Sequence, residues 1–169
     1  MGENRQVSQP TSGMDSTVHN PVNHPLRPIY RALGGVAGVY LIVFGVIGLI
    51  VSAADGLFGT AGHRVFGQGA NLFWSIVALL LGIGVLISAL RGRNLDTEVD
   101  RFAGWGLLVV GTYGLAVIRT DANVLDFTIS TVVVTYLVGL VLIMTGLYSK
   151  TAPSEEAGAP RQVREGRSA

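Results

Sequence analysis

The chain has 169 residues, of which 49% are apolar and only 14% charged, and its formal net charge is +1. A soluble domain carries about 25% charged residues, and so small a net charge excludes a broadly basic surface for nucleic acid. Cysteine is absent, which excludes disulfides, thiolate metal sites and thiol nucleophiles. The charges cluster in short zones between long uncharged segments, which is typical of a polytopic membrane protein.

Four apolar segments are long enough, or nearly so, to cross the roughly 30 Å hydrocarbon layer as helices. They are predicted at about 29–53, 70–90, 102–118 and 128–148. Backbone groups in lipid must be paired within the protein, and the segments lack the alternation of a barrel, so helices are expected. The third segment is the shortest, and it begins earlier if Asp96 serves as its N-cap. The predicted fold class is therefore all-α, a polytopic membrane protein with four transmembrane helices in an antiparallel bundle.

The basic residues predict the orientation of these helices. With the N-terminus inside, ten Lys and Arg residues fall on the cytoplasmic side and two, Arg64 and Arg119, on the outer side. Both termini are therefore expected in the cytoplasm, and the chain in the plasma membrane of a bacterium. The polar N-terminus does not fit a signal peptide, so the first span is expected to be an uncleaved anchor. Residues 21–150 are assigned to the transmembrane domain, and residues 1–20 and 151–169 are predicted to be disordered.

The block NHPLRPIYR, residues 23–31, stands immediately before the first uncharged run. Arg27 and Arg31 share a helix face and can hold lipid phosphates. The block is interpreted as an anchor in anionic headgroups, with a docking site for a cytoplasmic partner or lipid as the functional alternative. His19 and His24 are poorly spaced for a metal pair, and neither a metal nor a cofactor is predicted. The candidate contact residues are Asn23, His24, Arg27 and Arg31.

Three of the predicted helices repeat one spacing of small residues, in steps of four and seven, which keeps these residues on one face. Small stripes let helix backbones approach closely in lipid. Chance also produces some such triples in a chain with 23 glycines. The predicted packing residues are Gly34, Gly38 and Gly45 in the first helix, Ala78, Gly82 and Ala89 in the second, and Thr135, Gly139 and Gly146 in the fourth.

No ionisable side chain lies in the middle of a span, which argues against a proton-coupled carrier, a charged pore and a buried acid–base enzyme. The outer turn RTDANVLDF is the densest polar cluster near a helix end, and its candidate residues are Arg119, Asp121, Asn123 and Asp126. Arg119 can pair with either aspartate, and Asp121 can cap an early-starting fourth helix. Capping and surface pairing explain this turn, and a ligand or partner site is the alternative. The inner loop RGRNLDTEVDR is interpreted as anionic-lipid contact plus helix capping.

The blocks NHPLRPIYR and RTDANVLDFTIST, with the closing GLVLIMTGLY, resemble the actinobacterial membrane family called domain of unknown function 4383. The resemblance covers roughly Pro21 to Lys150. It implies a four-helix integral membrane protein of about this size. It implies no activity and no catalytic residues.

Three hypotheses about function follow from these patterns. The leading one is a non-enzymatic accessory or scaffolding component that packs through its small-residue faces, as a homo-oligomer or with a membrane-protein partner. The alternative is a transporter or channel for a small neutral solute, with Thr131 and Thr135 lining its outer end and Asp121 at the entry. A membrane enzyme that uses Asp121 and Asp126 on a lipid-linked substrate is the third.

Overall fold

The computed structural model describes residues 22–152. The segments predicted to be disordered, 1–20 and 151–169, lie outside that range except for Thr151 and Ala152, and so does His19. Within the described range the chain forms four helices: α1 (Arg27–Ser52), α2 (Leu72–Arg91), α3 (Leu95–Val117) and α4 (Ile129–Tyr148). Two short strands, β1 (Arg64–Val65) and β2 (Gln68–Gly69), form an antiparallel hairpin between α1 and α2. Apart from this hairpin, the described fold is all-helical.

The start of α3 differs from the sequence prediction, whereas the other helix boundaries lie within two residues of it. α3 begins at Leu95 rather than at residue 102. The alternative of an earlier start is confirmed, but the expectation that Asp96 caps the helix is wrong. Asn94 occupies the N-cap position with φ 64°, and Asp96 lies inside the first turn. The side chain of Asn94 makes no cap bond, because its Oδ1 accepts the backbone N–H of Thr151 at 2.7 Å instead.

Three of the helices, α1, α2 and α4, are long and apolar enough to cross a membrane. Large apolar side chains point away from the protein on all four helices, and more than half of each of Val36, Leu80, Val109 and Leu137 is exposed. Many buried positions are instead taken by glycine, alanine, serine and threonine. Exposed apolar surface on this scale indicates an apolar environment around the helices.

The helices pack in the cyclic order α1–α2–α3–α4, with the closest approaches inside the pairs α1–α2 and α3–α4. A Cβ added at Gly82 would lie 2.7 Å from the carbonyl oxygen of Gly38, and one added at Gly104 would lie 2.6 Å from that of Gly139. Each pair therefore crosses with backbone against backbone, which only glycine permits at these distances.

The structure buries all nine predicted stripe residues. Each glycine among them lies against a residue of another helix of the same chain: Gly34, Gly38, Gly45, Gly82, Gly139 and Gly146. The stripes are therefore used for packing inside the chain. They are not free to pack against a second molecule.

We expect Gly82→Ala to destabilise the protein by about 1–3 kcal/mol, because the new methyl group would press on the backbone of α1. Gly84 is the matched control, since a Cβ there has nothing within 4 Å. Gly84→Ala should be neutral or slightly stabilising, because alanine is the better helix former. Unfolding by SDS in mixed micelles measures both variants, and equal losses would contradict the glycine crossing.

Candidate functional site

Two arginines near the start of α1 bind the ends of the neighbouring helices. The end of the molecule where α1 begins and α4 ends is called the terminal end. Here the Arg31 guanidinium donates hydrogen bonds from Nε to the carbonyl of Ala89 and from Nη2 to that of Leu90, the latter at 2.6 Å. Arg27 Nε donates to the carbonyl of Ser149 at 2.8 Å. Because carbonyls at a helix C-terminus lack internal partners and carry partial negative charge, both arginines cap helices other than their own.

Asn23 and His24 also make contacts inside the chain. Asn23 Nδ2 donates to the carbonyl of Ala152 at 2.7 Å, and its Oδ1 accepts the N–H of Ala152 at 3.1 Å. The His24 ring meets the rings of Tyr30 and Tyr148 edge-on, and those two rings stack with centroids 5.1 Å apart. The structure thus brings the four candidate residues of this block together and gives each an internal partner. Their contact with lipid or another protein stays a prediction.

A buried acidic cluster lies next to Arg27 at the terminal end. We define it by Asp96, Thr97 and Asp100 of α3 with Thr145 and Ser149 at the end of α4. Asp96 and Asp100 are 0% and 1% exposed and stand four residues apart, on one face of the helix. Arg27 Nη2 lies 3.7 Å from Asp96 Oδ2, and Thr145 Oγ1 donates to Asp100 Oδ2 at 2.7 Å. Aspartate is almost never fully buried unless it is paired, so this cluster needs a specific explanation.

The sequence analysis missed this cluster. It assigned the loop around Asp96 to lipid contact and capping, and that interpretation is wrong for Asp96 and Asp100, which face the other helices. A signal was present: Asp96 and Asp100 continue, in steps of four, the buried run of Gly104, Gly111 and Gly114 on α3. The face that buries small residues in the apolar part of α3 therefore also buries carboxylates at its polar start.

The surroundings of Asp100 favour its neutral form. A Cβ at Gly34 would lie 2.6 Å from Asp100 Oδ2, so glycine there leaves the space that the carboxyl group occupies. Burial raises the pKa of Asp100 to about 6. The negative charge of Asp96 also raises this pKa, whereas the hydrogen bonds from Thr145 and Ser88 lower it in part. Asp100 precedes the apolar part of α3 and lies at the terminal end of the molecule.

The candidate residues of the 119–127 turn do not form the cluster that the sequence predicted. The carboxylate of Asp126 accepts the N–H of Gly62 at 3.1 Å, and Arg64 Nη1 lies 3.5 Å from the same oxygen. Arg119 and Asp121 are exposed, and within residues 22–152 neither forms an ion pair. The expected pairing of Arg119 is therefore wrong for Asp126, because this carboxylate turns toward the β1–β2 hairpin.

The remaining polar groups at this end, called the loop end, join the hairpin to the turn. Thr128, and not Asp121, caps α4: its Oγ1 accepts the N–H of Thr131 at 3.2 Å. Thr131 Oγ1 in turn accepts the N–H of Gly69 at 2.8 Å. Asn123 bonds both the N–H and the carbonyl of Phe127, at 2.8 and 2.9 Å. These contacts hold the hairpin against the start of α4 and fix the 119–127 turn.

A family model described as "Domain of unknown function (DUF4383)" matches residues 31–148, which is more than half of the chain. The chain belongs to this family. Comparison with curated proteins and with solved structures gives no significant match. The DUF4383 region contains the two glycine crossings, the buried acidic cluster up to Thr145 and the whole 119–127 turn. The family's description assigns no activity, so function has to be argued from the geometry.

The raised pKa of Asp100 predicts how the stability of this DUF4383 protein depends on pH. Asp100 binds its proton more tightly in the folded protein than in the unfolded chain, where its pKa is near 4. The stabilisation of the fold by the bound proton is therefore complete below about pH 4 and is lost as the pH rises through about 6. Two pKa units correspond to about 3 kcal/mol. Asp100→Asn should remove this component and be more stable than the wild type at pH 8, because the amide is neutral.

The measurement is SDS-induced unfolding in detergent between pH 4 and pH 8. Glu98→Gln is the matched control, since Glu98 is exposed on the same helix and pairs with Arg101. This control should keep the pH profile of the wild type. An Asp100→Asn variant with an unchanged profile would contradict the assignment.

Proposed function

We propose that this DUF4383 protein crosses a bacterial plasma membrane four times, with both termini in the cytoplasm. Its proposed role is non-catalytic: it binds another membrane protein within the plane of the membrane. The apolar character of α1, α2 and α4 supports the embedding. We count the apolar part of α3, from Phe102 onward, as the fourth span because Phe102, Trp105 and Val109 are exposed like the lipid-facing residues of the other helices. The exposed Arg91 and Arg93 at the terminal end suit anionic headgroups on the cytoplasmic side.

The packed interior supports binding in preference to transport. The space between the helices beside Tyr40, Trp74 and Thr135 amounts to about 10 Å³, room for one water at most. Thr131 is fully buried with its hydroxyl bonded to Gly69, and Asp121 stands apart in an exposed turn. The two threonines suggested for a solute path, Thr131 and Thr135, are therefore buried in the helix packing, and no observation favours the transporter hypothesis.

A groove between α2 and α3 is the observation that carries the proposal. It has a volume of about 530 Å³ and is lined almost wholly by apolar groups, among them Trp74, Leu81, Phe102, Gly106 and Val110. A Cβ at Gly106 would have nothing within 4 Å, so the α3 backbone is open to the groove. Because exposed small residues let helices approach closely in lipid, this groove suits a transmembrane helix of a partner. The small-residue stripes, which the sequence offered for this role, are already buried inside the chain.

The orientation can be tested with single cysteines, since the chain has none of its own. We expect Lys150→Cys, at the exposed terminal end, to react with an impermeant maleimide only after the cells are opened. Asp121→Cys, in the exposed turn at the loop end, should react in intact cells. The reverse labelling pattern would contradict the proposed orientation.

The lateral contact can be tested at Gly106. We expect Gly106→Cys to crosslink to a second membrane protein in native membranes, and Gly106→Leu to abolish that complex by filling the groove. Unfolding of Gly106→Leu should stay near the wild-type value, because the new side chain meets lipid and not the core. Leu140→Cys, exposed on α4, is the matched control and should not crosslink. Equal crosslinking from both positions, or from neither, would contradict the groove as the binding surface.

A further inference from the structure

The buried acidic cluster contains oxygen atoms that no other group in residues 22–152 satisfies. Five buried side-chain oxygens in that range lack a hydrogen-bond partner: Asp96 Oδ1 and Oδ2, Thr97 Oγ1, Asp100 Oδ1 and Ser149 Oγ. All five belong to the cluster. Buried polar groups are nearly always hydrogen-bonded, and burying an uncompensated charge is costlier still. The cluster therefore calls for a donor or a cation.

The charges of the cluster do not balance. Its two carboxylates come from α3, and the facing groups on α2 and α4 are the hydroxyls of Ser88 and Thr145. Arg27 of α1 supplies one positive charge, 3.7 Å from Asp96 Oδ2, and in the described part of the chain no second ion pair reaches the cluster. At pH 8, where the test below is made, both carboxylates are ionised and one negative charge is left inside the protein. One unit of positive charge neutralises it.

The chemistry of the free atoms selects the kind of cation. All five are carboxylate or hydroxyl oxygens, which suit hard cations, and the cluster offers no thiolate or imidazole for a softer metal. In the described residues no three His, Cys, Asp or Glu side chains are placed so that they could hold one metal ion, so the site lacks the charge of a typical divalent centre. The single remaining negative charge matches a monovalent ion.

We propose that the buried acidic cluster is a binding site for a monovalent inorganic cation, Na⁺ or K⁺, held by Asp96 and Asp100 with the hydroxyls of Thr97 and Ser149. The hydrogen bond from Thr145 fixes Asp100 Oδ2 and leaves Oδ1 free for the ion. Arg27, whose side chain is partly exposed, lies 3.7 Å from Asp96 Oδ2 and donates to the carbonyl of Ser149. This inference is independent of the partner proposed above and of the orientation of the chain.

Thermal unfolding of the full-length protein in detergent at pH 8 tests the site, with NaCl, KCl or choline chloride as the only added salt. Raising NaCl or KCl from 1 to 300 mM should raise the Tm by about 5 °C more than the same rise in choline chloride does. The ion that gives the larger shift is the preferred ligand. Choline is too large for a buried cluster and should give no shift of its own.

Variants separate binding at the cluster from a general salt effect. Asp100→Asn and Thr97→Val should each lose most of the shift, whereas Glu98→Gln, the exposed carboxylate on the same helix, should keep it. If a variant folds poorly, ²³Na line broadening with wild-type protein, reversed by K⁺, provides a second measurement. Equal Tm shifts in all three salts, or a shift that survives in Asp100→Asn, would overturn the proposal.

Discussion

The structure depends on close contact between helix backbones at glycine. In hydrocarbon, association of helices gains little from burying apolar side chains, because lipid tails are as apolar as leucine. The helices are therefore held together by dispersion and by polar contacts, which act only at short range. Both require that no large side chain separates the backbones. Gly38 against Gly82 and Gly104 against Gly139 meet that requirement once in each helix pair. The large side chains are consequently left on the outside, where the solvent is lipid.

This tight packing explains the closed interior and the location of the polar chemistry at the two ends. Between the crossings little space is left, so hydroxyl groups in the core bond to backbone carbonyls of their own helix, as Ser75 does to Asn71 and Ser52 to Gly48. At the ends the helices offer unpaired carbonyls and N–H groups, and charged side chains find partners there. The arginines of α1 cap the ends of α2 and α4, and the aspartates of α3 are enclosed behind them. The acidic cluster is thus a consequence of the same face of α3 being buried along its length.

How far the sequence could predict the molecule differs between its parts. The long uncharged runs located α1, α2 and α4, because an apolar helix in lipid is specified by composition alone, and the stripe spacing identified the buried faces. The start of α3 was missed because its first turns carry Asp96, Glu98, Asp100 and Arg101, which resemble a surface loop. The partner of Asp126 was missed for another reason. Arg64 lies far from it in the chain, and their contact depends on how the hairpin folds over the turn.

The sequence by itself determined the helices and their environment: three of the four are long and apolar enough to cross a membrane, and small residues lie on their buried faces. Each of these properties is local, since it depends on the residues within a few turns. The tertiary structure decided which polar groups meet, because that depends on the crossing of helices distant in sequence. It made Arg27 and Arg31 caps of neighbouring helices, and it made two aspartates assigned to a loop a buried pair. The sequence is the same whether a charged side chain is solvated or buried. The free energy of burying it, and the group with which it pairs, depend on its neighbours in space.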